Sequence, residues 1–321
     1  MSNKDTSADL YILMLNIHGL VRGHDLELGR DPDTGGQTKY VVELVRALAE
    51  RPEVDRVDLV TRRIIDGAVS ADYAKSLETL SDNAHLVRLE AGPEDYIRKE
   101  ELWDYLDNFT DNLLHYIGES DRRPHLIHSH YADAGYVGSR LSRQLGVPLI
   151  HTGHSLGRVK RRRLLASGLH SGAIETRYNM ARRIEAEEDT LAAADLVIAS
   201  TRNEIDDQYG LYDHYRPDQM EVIPPGTDLD HFQPPNGTER KSRIGKELKR
   251  FLRDPHKPII LALSRPDERK NIRTLIEAFG ESPDLQDAAN LVIIAGNRDD
   301  ISEMDAGPQA VLTEILLLID V

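Results

Sequence analysis

The 321-residue chain contains no cysteine, which excludes disulfide bridges, thiolate metal sites and thiol catalysis. It has no long apolar run either. Its uninterrupted aliphatic stretches are a few residues each, against the roughly 20 residues that a membrane-spanning helix needs, and its mean hydropathy is −0.47. The N-terminal stretch MSNKDTSADL is polar, with no apolar secretion segment after it. Positive charge is in deficit: 40 Lys and Arg stand against 55 Asp and Glu, a net charge of −15. General nucleic-acid binding needs a basic footprint and is disfavoured by that balance. Internal repeats and low-complexity tracts are missing as well. Together these absences point to a soluble, cytoplasmic protein. One stretch runs against the acidic balance, the cluster GRVKRRR ending at Arg163. Its ordinary reading is a solvated loop or helix end, but the polar segment before it leaves a ligand site open.

Hydrophobic residues make up 40% of the chain, enough for a sizeable core, and their spacing carries the fold. Short apolar runs read as strands at 10–16, 56–63, 85–91, 125–131, 148–155, 195–200 and 220–226. Helical patterns lie between them, at 37–50, 99–118, 134–145 and 174–194. In YVVELVRALA, Val41, Leu44, Val45 and Leu48 recur at i, i+3, i+4 and i+7, the buried stripe of a helix. Continuous β-branched strands alternating with helices predict a parallel sheet covered on both faces, because parallel strands need helical crossovers. The fold class is therefore α/β, doubly wound.

This pattern assigns residues 1–226 to a first domain. A Pro/Gly/polar stretch, 227–257, has the composition of a linker. A second unit follows over 258–321: strand PIILALS, helix NIRTLIEAFGE, strand NLVIIAG and helix AVLTEILLLID. About 60 residues bury too little apolar surface for independent stability, so an incomplete domain is expected here.

The stretch DPDTGGQTKY places Gly35 and Gly36 between the first strand and its helix. A helix N-terminus presents free N–H groups and positive dipole, and glycine lets an anion or a sugar hydroxyl come close to the backbone. A tight turn without a ligand is the plainer alternative. The segment is neither a G-x-G-x-x-G dinucleotide fingerprint nor a P-loop. Two further polar segments fall at strand C-terminal ends, where open α/β sheets bind ligands. HSHYADAG brings His130, Tyr131 and Asp133, and HTGHSLGRVK brings His154, Ser155, Arg158 and Lys160. The histidines at 128, 130, 151 and 154 have no carboxylate set in a metal-ligand pattern, so no metal is expected.

Taken together, GHDLELGRDPDTGGQTKYVVELVRALA, the segment HSHYADAG through VKRRRLL, VIPPGTD and SRPDERKN resemble the sucrose-phosphate synthase family of retaining GT-B glycosyltransferases. The likeness runs from about residue 9 to the end. It implies a GT-B fold, with a complete N-terminal Rossmann-like domain and the start of a second, nucleotide-sugar-binding one. The implied reaction moves glucose from UDP-glucose to fructose 6-phosphate with retention, and needs no cofactor beyond these two substrates. Sucrose synthase, which takes unphosphorylated fructose, is the neighbouring alternative; a non-catalytic sugar-phosphate-binding module is another. By resemblance Gly35, Gln37, Tyr131 and Ser155 contact the fructose, and Lys99, Lys160 and Arg183 hold its phosphate, with Arg182 as the rival to Arg183. Gly36, Arg265 and Lys270 serve the donor, Asn16 lies near the same cleft, and His154 has the supporting catalytic role. Front-face substitution requires no protein nucleophile. The family's paired donor glutamates, eight residues apart, have one match in spacing, Glu239 and Glu247. These lie ahead of Arg265 without a strand-to-helix glycine loop and are rejected, so the true pair is expected beyond Val321.

Overall fold

Strand β1 (Leu10–Leu15) divides its side chains between two cores. Leu13 and Leu15 point into one cluster of buried residues, Ile12 and Met14 into the other. A strand apolar on both faces must be covered on both, and helices provide the cover. Helix α1 (Gly36–Ala49) closes one side with Val41, Val42 and Val45. Helices α2 (Leu106–Glu119) and α3 (Tyr131–Leu145) close the other, with Phe109, Leu113, Val137 and Leu141. Burying one such side chain completely stabilises by about 1.5–3 kcal/mol relative to leaving it in water.

The computed structural model describes residues 9–120, 122–296, 300–304 and 306–320. Chain contacts divide it into two units, Met1–Gly226 and Thr227–Val321. The first is built on an eight-stranded sheet. Its remaining strands are β2 (Val54–Arg62), β3 (Leu77–Ser81), β4 (Ala84–Leu89), β5 (Leu126–His130), β6 (Leu149–Thr152), β7 (Leu196–Ala199) and β8 (Met220–Val222). They lie in the order β3-β4-β2-β1-β5-β6-β7-β8. Leu15 pairs with Val60 of β2 and Ser129 of β5, in parallel. Three more helices, α4 (Gly157–Ala166), α5 (Ser171–Tyr178) and α6 (Met180–Ala193), lie between β6 and β7.

The architecture is α/β as expected, with three local differences from the sequence pattern. Strand β3, the polar LETLS, pairs antiparallel with β4 at the sheet edge, where no apolar run is needed to announce it. The helix expected over 174–194 breaks at Asn179, whose φ of +49° lies in the left-handed region that asparagine tolerates. The helix expected over 99–118 opens as a 3₁₀ stretch, Lys99–Tyr105.

The second unit contains α7 (Arg243–Leu248), β9 (Ile259–Ser264), α8 (Ile272–Gly280), α9 (Pro283–Ala288), β10 (Asn290–Ala295) and α10 (Ala306–Ile319). Helix α7 lies inside the stretch read as linker; Ser242 caps it by accepting from the Gly245 N–H. Strands β9 and β10 pair in parallel as a two-stranded sheet. Among the described residues no helix is long and apolar enough to cross a membrane.

Candidate functional site

Strand order reverses between β1 and β5, and ligands of open α/β sheets bind in the crevice outside the strand ends at such a point. Asn16 follows β1 there. Its Oδ1 accepts from Gln37 Nε2 at 2.7 Å, and its Nδ2 donates to the His18 carbonyl at 3.1 Å. The two glycines beside Gln37 are not required by the chain's own geometry. Gly35 is extended (φ −142°), Gly36 begins α1, and a Cβ on either would meet no atom within 4 Å. Gly19 is the contrast: its φ is +82°, and a Cβ there would lie 2.7 Å from the Asp33 carbonyl oxygen. Space left open beside an uncapped helix N-terminus is what a closely approaching ligand needs.

That space continues into a recess of about 220 Å³, lined by Gly36, Gln37, Tyr40, Thr152, His154 and Ser200 among others. His154 holds a left-handed φ of +56°, and its Nε2 lies 3.0 Å from His130 Nδ1. Behind it, His128 Nε2 is 2.9 Å from the Thr152 hydroxyl and His151 Nδ1 is 2.9 Å from the Ser129 hydroxyl. Burial, followed by the neighbouring imidazoles His151 and His18, pushes His154 down to about 3. Burial likewise takes His128 to about 3 and His151 to about 4, and holds His130 well below its ordinary value. All four are neutral at pH 7. His154 therefore offers the recess a neutral hydrogen-bonding imidazole.

A group of cations, Arg183, Lys160 and Lys99, reaches the backbone next to His154 through Arg183. Arg183, buried on α6, donates from Nε to Glu187 at 2.9 Å and from a terminal nitrogen to the Ser155 carbonyl at 2.6 Å. Its guanidinium lies 4.6 Å from the centre of the Tyr131 ring. Tyr131 has φ +78°, a conformation worth roughly 1–3 kcal/mol of strain for a non-glycine residue. The His18 ring holds it on another side, edge-on at 4.6 Å. Lys160 places its ammonium 3.9 Å from the centre of the Tyr178 ring and 3.9 Å from Glu100. Burial, then the charge of Arg183, lowers it to about 8. Lys99 is ion-paired with Asp33 and lies 3.7 Å from Glu100. Burial alone would raise the Asp33 carboxyl, but Lys99 outweighs it and holds it below the usual value. Arg182 turns away, to Asp104 at 2.5 Å and the Trp103 carbonyl at 2.9 Å, so Arg183 is the inward member of the pair.

Several residues here carry no sequence signal strong enough to single them out. His18 Nδ1 lies 2.6 Å from Asp133 in a buried pair, and Asp33, Glu100 and Glu187 supply the counter-charges. The placement of His18 at a strand end, before a glycine, was the available clue.

In the second unit Arg265 and Lys270 are both exposed, just after β9. Lys270 ends the short turn Glu268–Lys270, and Asn271 follows with φ +52°. Glu239 accepts from the Asn236 and Gly237 N–H groups, and Glu247 pairs with Arg250 at 2.9 Å. Both glutamates have local partners.

The profile of the sucrose synthase first GT-B domain matches residues 8–228. The chain belongs to the sucrose synthase GT-B family. A probable sucrose-phosphate synthase 1 from rice (Oryza sativa subsp. indica) is 45% identical over 99% of this chain and 35% of its own length. Sucrose-phosphate synthase from Zea mays is 44% identical, over 99% of this chain and 36% of its own. The chain thus spans about a third of the length of these relatives. Among solved structures, sucrose-phosphate synthase from Thermosynechococcus elongatus aligns with a TM-score of 0.69 at 26% identity, covering 97% of this chain and 68% of that one. The catalytic domain of starch synthase IV from Arabidopsis thaliana shares the fold at TM-score 0.58 and 13% identity, over 89% of this chain and 68% of that one.

Proposed function

We propose that the chain belongs to a cytoplasmic sucrose-phosphate synthase, transferring glucose from UDP-glucose to fructose 6-phosphate with retention. The observation that carries this reading is the grouping of Lys99, Lys160 and Arg183 around Glu100 and Asp33, the latter just ahead of Gly35 in the chain. A sugar phosphate near −2 charge calls for several charge-assisted donors, each worth about 1.5–3 kcal/mol. The fructose would lie against Gly35, Gln37, Tyr131 and Ser155. The transferred glucose would occupy the recess beside Gly36, where the neutral His154 can hydrogen-bond a hydroxyl. In the second unit Arg265 and Lys270 would neutralise the UDP diphosphate as it departs, an interaction that strengthens as charge develops. No cofactor takes part in this scheme.

Calorimetry on the 321-residue chain tests the acceptor half. Fructose 6-phosphate should bind and fructose should bind far more weakly, and Lys160→Ala should remove about 1.5–3 kcal/mol of the phosphate's contribution. Equal binding of fructose and fructose 6-phosphate would favour sucrose synthase chemistry, which the matching family profile also keeps in view. Turnover of UDP-glucose separates an enzyme from a sugar-phosphate-binding module.

A further inference from the structure

Glu100 stands among the cations assigned to the phosphate, and it is held unlike any other carboxylate there. Its side chain is nearly buried. Arg98 lies 3.6 Å away, Lys99 3.7 Å and Lys160 3.9 Å, all beyond good hydrogen-bonding distance. Its Oε2 is fully buried with no hydrogen-bond partner. The other two carboxylates facing this group are saturated. Asp33 accepts from the Lys99 backbone N–H at 3.0 Å, the Tyr96 hydroxyl at 3.2 Å and the Lys99 ammonium. Glu187 accepts from Arg183 Nε, the Gly157 N–H and the Tyr212 hydroxyl. A buried carboxylate oxygen with nothing bonded to it is costly unless the surrounding charge compensates. Glu100 is thus kept in place by the field of three cations and not by directed bonds, so its displacement breaks no hydrogen bond of its side chain.

We propose that Glu100 is an internal counter-ion: its carboxylate faces Lys160, shares Lys99 with Asp33, and competes with an incoming phosphate for both. Removing it leaves like charges facing one another, which an anion then relieves. With Glu100 present, a ligand must outcompete a resident carboxylate, so weakly charged anions are rejected and a phosphate dianion is admitted. This inference rests on the reading of Lys99 and Lys160 as phosphate ligands.

The test is calorimetry with inorganic phosphate, fructose 6-phosphate and fructose on the wild-type chain and Glu100→Gln. The variant should bind both phosphates about tenfold more tightly, by loss of one nearby negative charge, with fructose unchanged. Equal or weaker binding of both phosphates by a natively folded variant overturns the inference. If the tenfold gain is seen with inorganic phosphate but fructose 6-phosphate binds no better than phosphate, the acceptor reading fails and this one stands. If fructose 6-phosphate binds well and equally to both proteins, the acceptor reading stands and this one falls. Should the glutamine variant not fold, Glu100→Asp, with shorter reach toward the lysines, should show a smaller gain in the same direction, and no gain overturns the proposal. Without ligand, the Lys160 ammonium should titrate lower in Glu100→Gln than in wild type; an unchanged midpoint likewise overturns it.

Discussion

The two units set chemically similar strands in opposite surroundings. β1 (LYILML) and β9 (IILALS) are both six-residue apolar runs in parallel pairs. Every side chain from Tyr11 to Leu15 is buried, while Leu261 and Leu263 are 57% and 70% exposed. Parallel pairing by itself removes little surface from water; helices packed on both faces do that. In the first unit α1 covers one face and α2, α3 and α6 the other, and the site loops rise from strand ends fixed on both sides. Arg265 and Lys270 follow a strand without that cover.

The same i,i+4 pair occurs in both units and gives the sharpest way to break the comparison. Arg183–Glu187 lies on α6 with side chains 4% and 3% exposed; Arg273–Glu277 lies on α8 at 55% and 39%. Glu187→Ala strands a buried guanidinium and removes the acceptor of the Gly157 N–H and the Tyr212 hydroxyl. Breaking a buried pair in this way should cost about 3–5 kcal/mol of stability, read as a fall in the urea midpoint of the first unit. Glu277→Ala should leave its unit's midpoint unmoved, because Arg273 keeps Glu314 and solvent. Similar losses in both would mean that the contrast in burial has no energetic weight.

A second test uses pH. His128, His130, His151 and His154 all lie in the first unit, and burial lowers each. Their unfolded value is near 6.5, so the folded state binds fewer protons below it. The stability they contribute is fully present above about pH 6.5 and is lost as pH falls toward 3–4. Each histidine contributes a slope of up to about 1.4 kcal/mol per pH unit. Urea midpoints of the first unit should therefore fall between pH 6.5 and 4 more steeply than one proton allows. His128→Gln, which keeps a nitrogen for Thr152, should flatten that slope while the carboxylates stay as they are. An identical slope in the variant would exclude His128 as a contributor.

Alternation and strand–helix rhythm were enough to read the doubly wound fold, because burial on both faces of a parallel sheet forces apolar runs. They could not reveal β3, an edge strand that buries little; the exposed side chains of β9 are, by contrast, what so short a second unit leads one to expect, although its sequence is as apolar as that of β1. In the site, the loops at strand ends were legible from residue type and position, whereas Lys99 and Arg183 were singled out only by the family resemblance. Their acidic partners were not singled out by either. Asp33, Glu100 and Glu187 are ordinary acidic residues in an acidic chain, and only the folded geometry distinguishes the loosely held Glu100 from the saturated Asp33. The choice between Arg182 and Arg183 likewise needed the phase of α6, which the break at Asn179 resets.

The smallest expected effect separates a structural glycine from a functional one across the two units. Gly36 in α1 and Gly280 in α8 are both helical positions where a Cβ would meet nothing within 4 Å. Alanine at either site restricts the unfolded chain without a clash, so each substitution should raise stability by about 0.5 kcal/mol. Only Gly36 lines the recess. Gly36→Ala should therefore gain stability and lose affinity for UDP-glucose together, since its methyl group occupies the space left for the sugar. Gly280→Ala should gain stability with binding untouched. Calorimetry beside thermal melts reads both quantities on the same samples. Unaltered UDP-glucose binding by Gly36→Ala would return the glycine pair to a turn without a ligand, and a loss of stability there would mean that the backbone needs glycine after all.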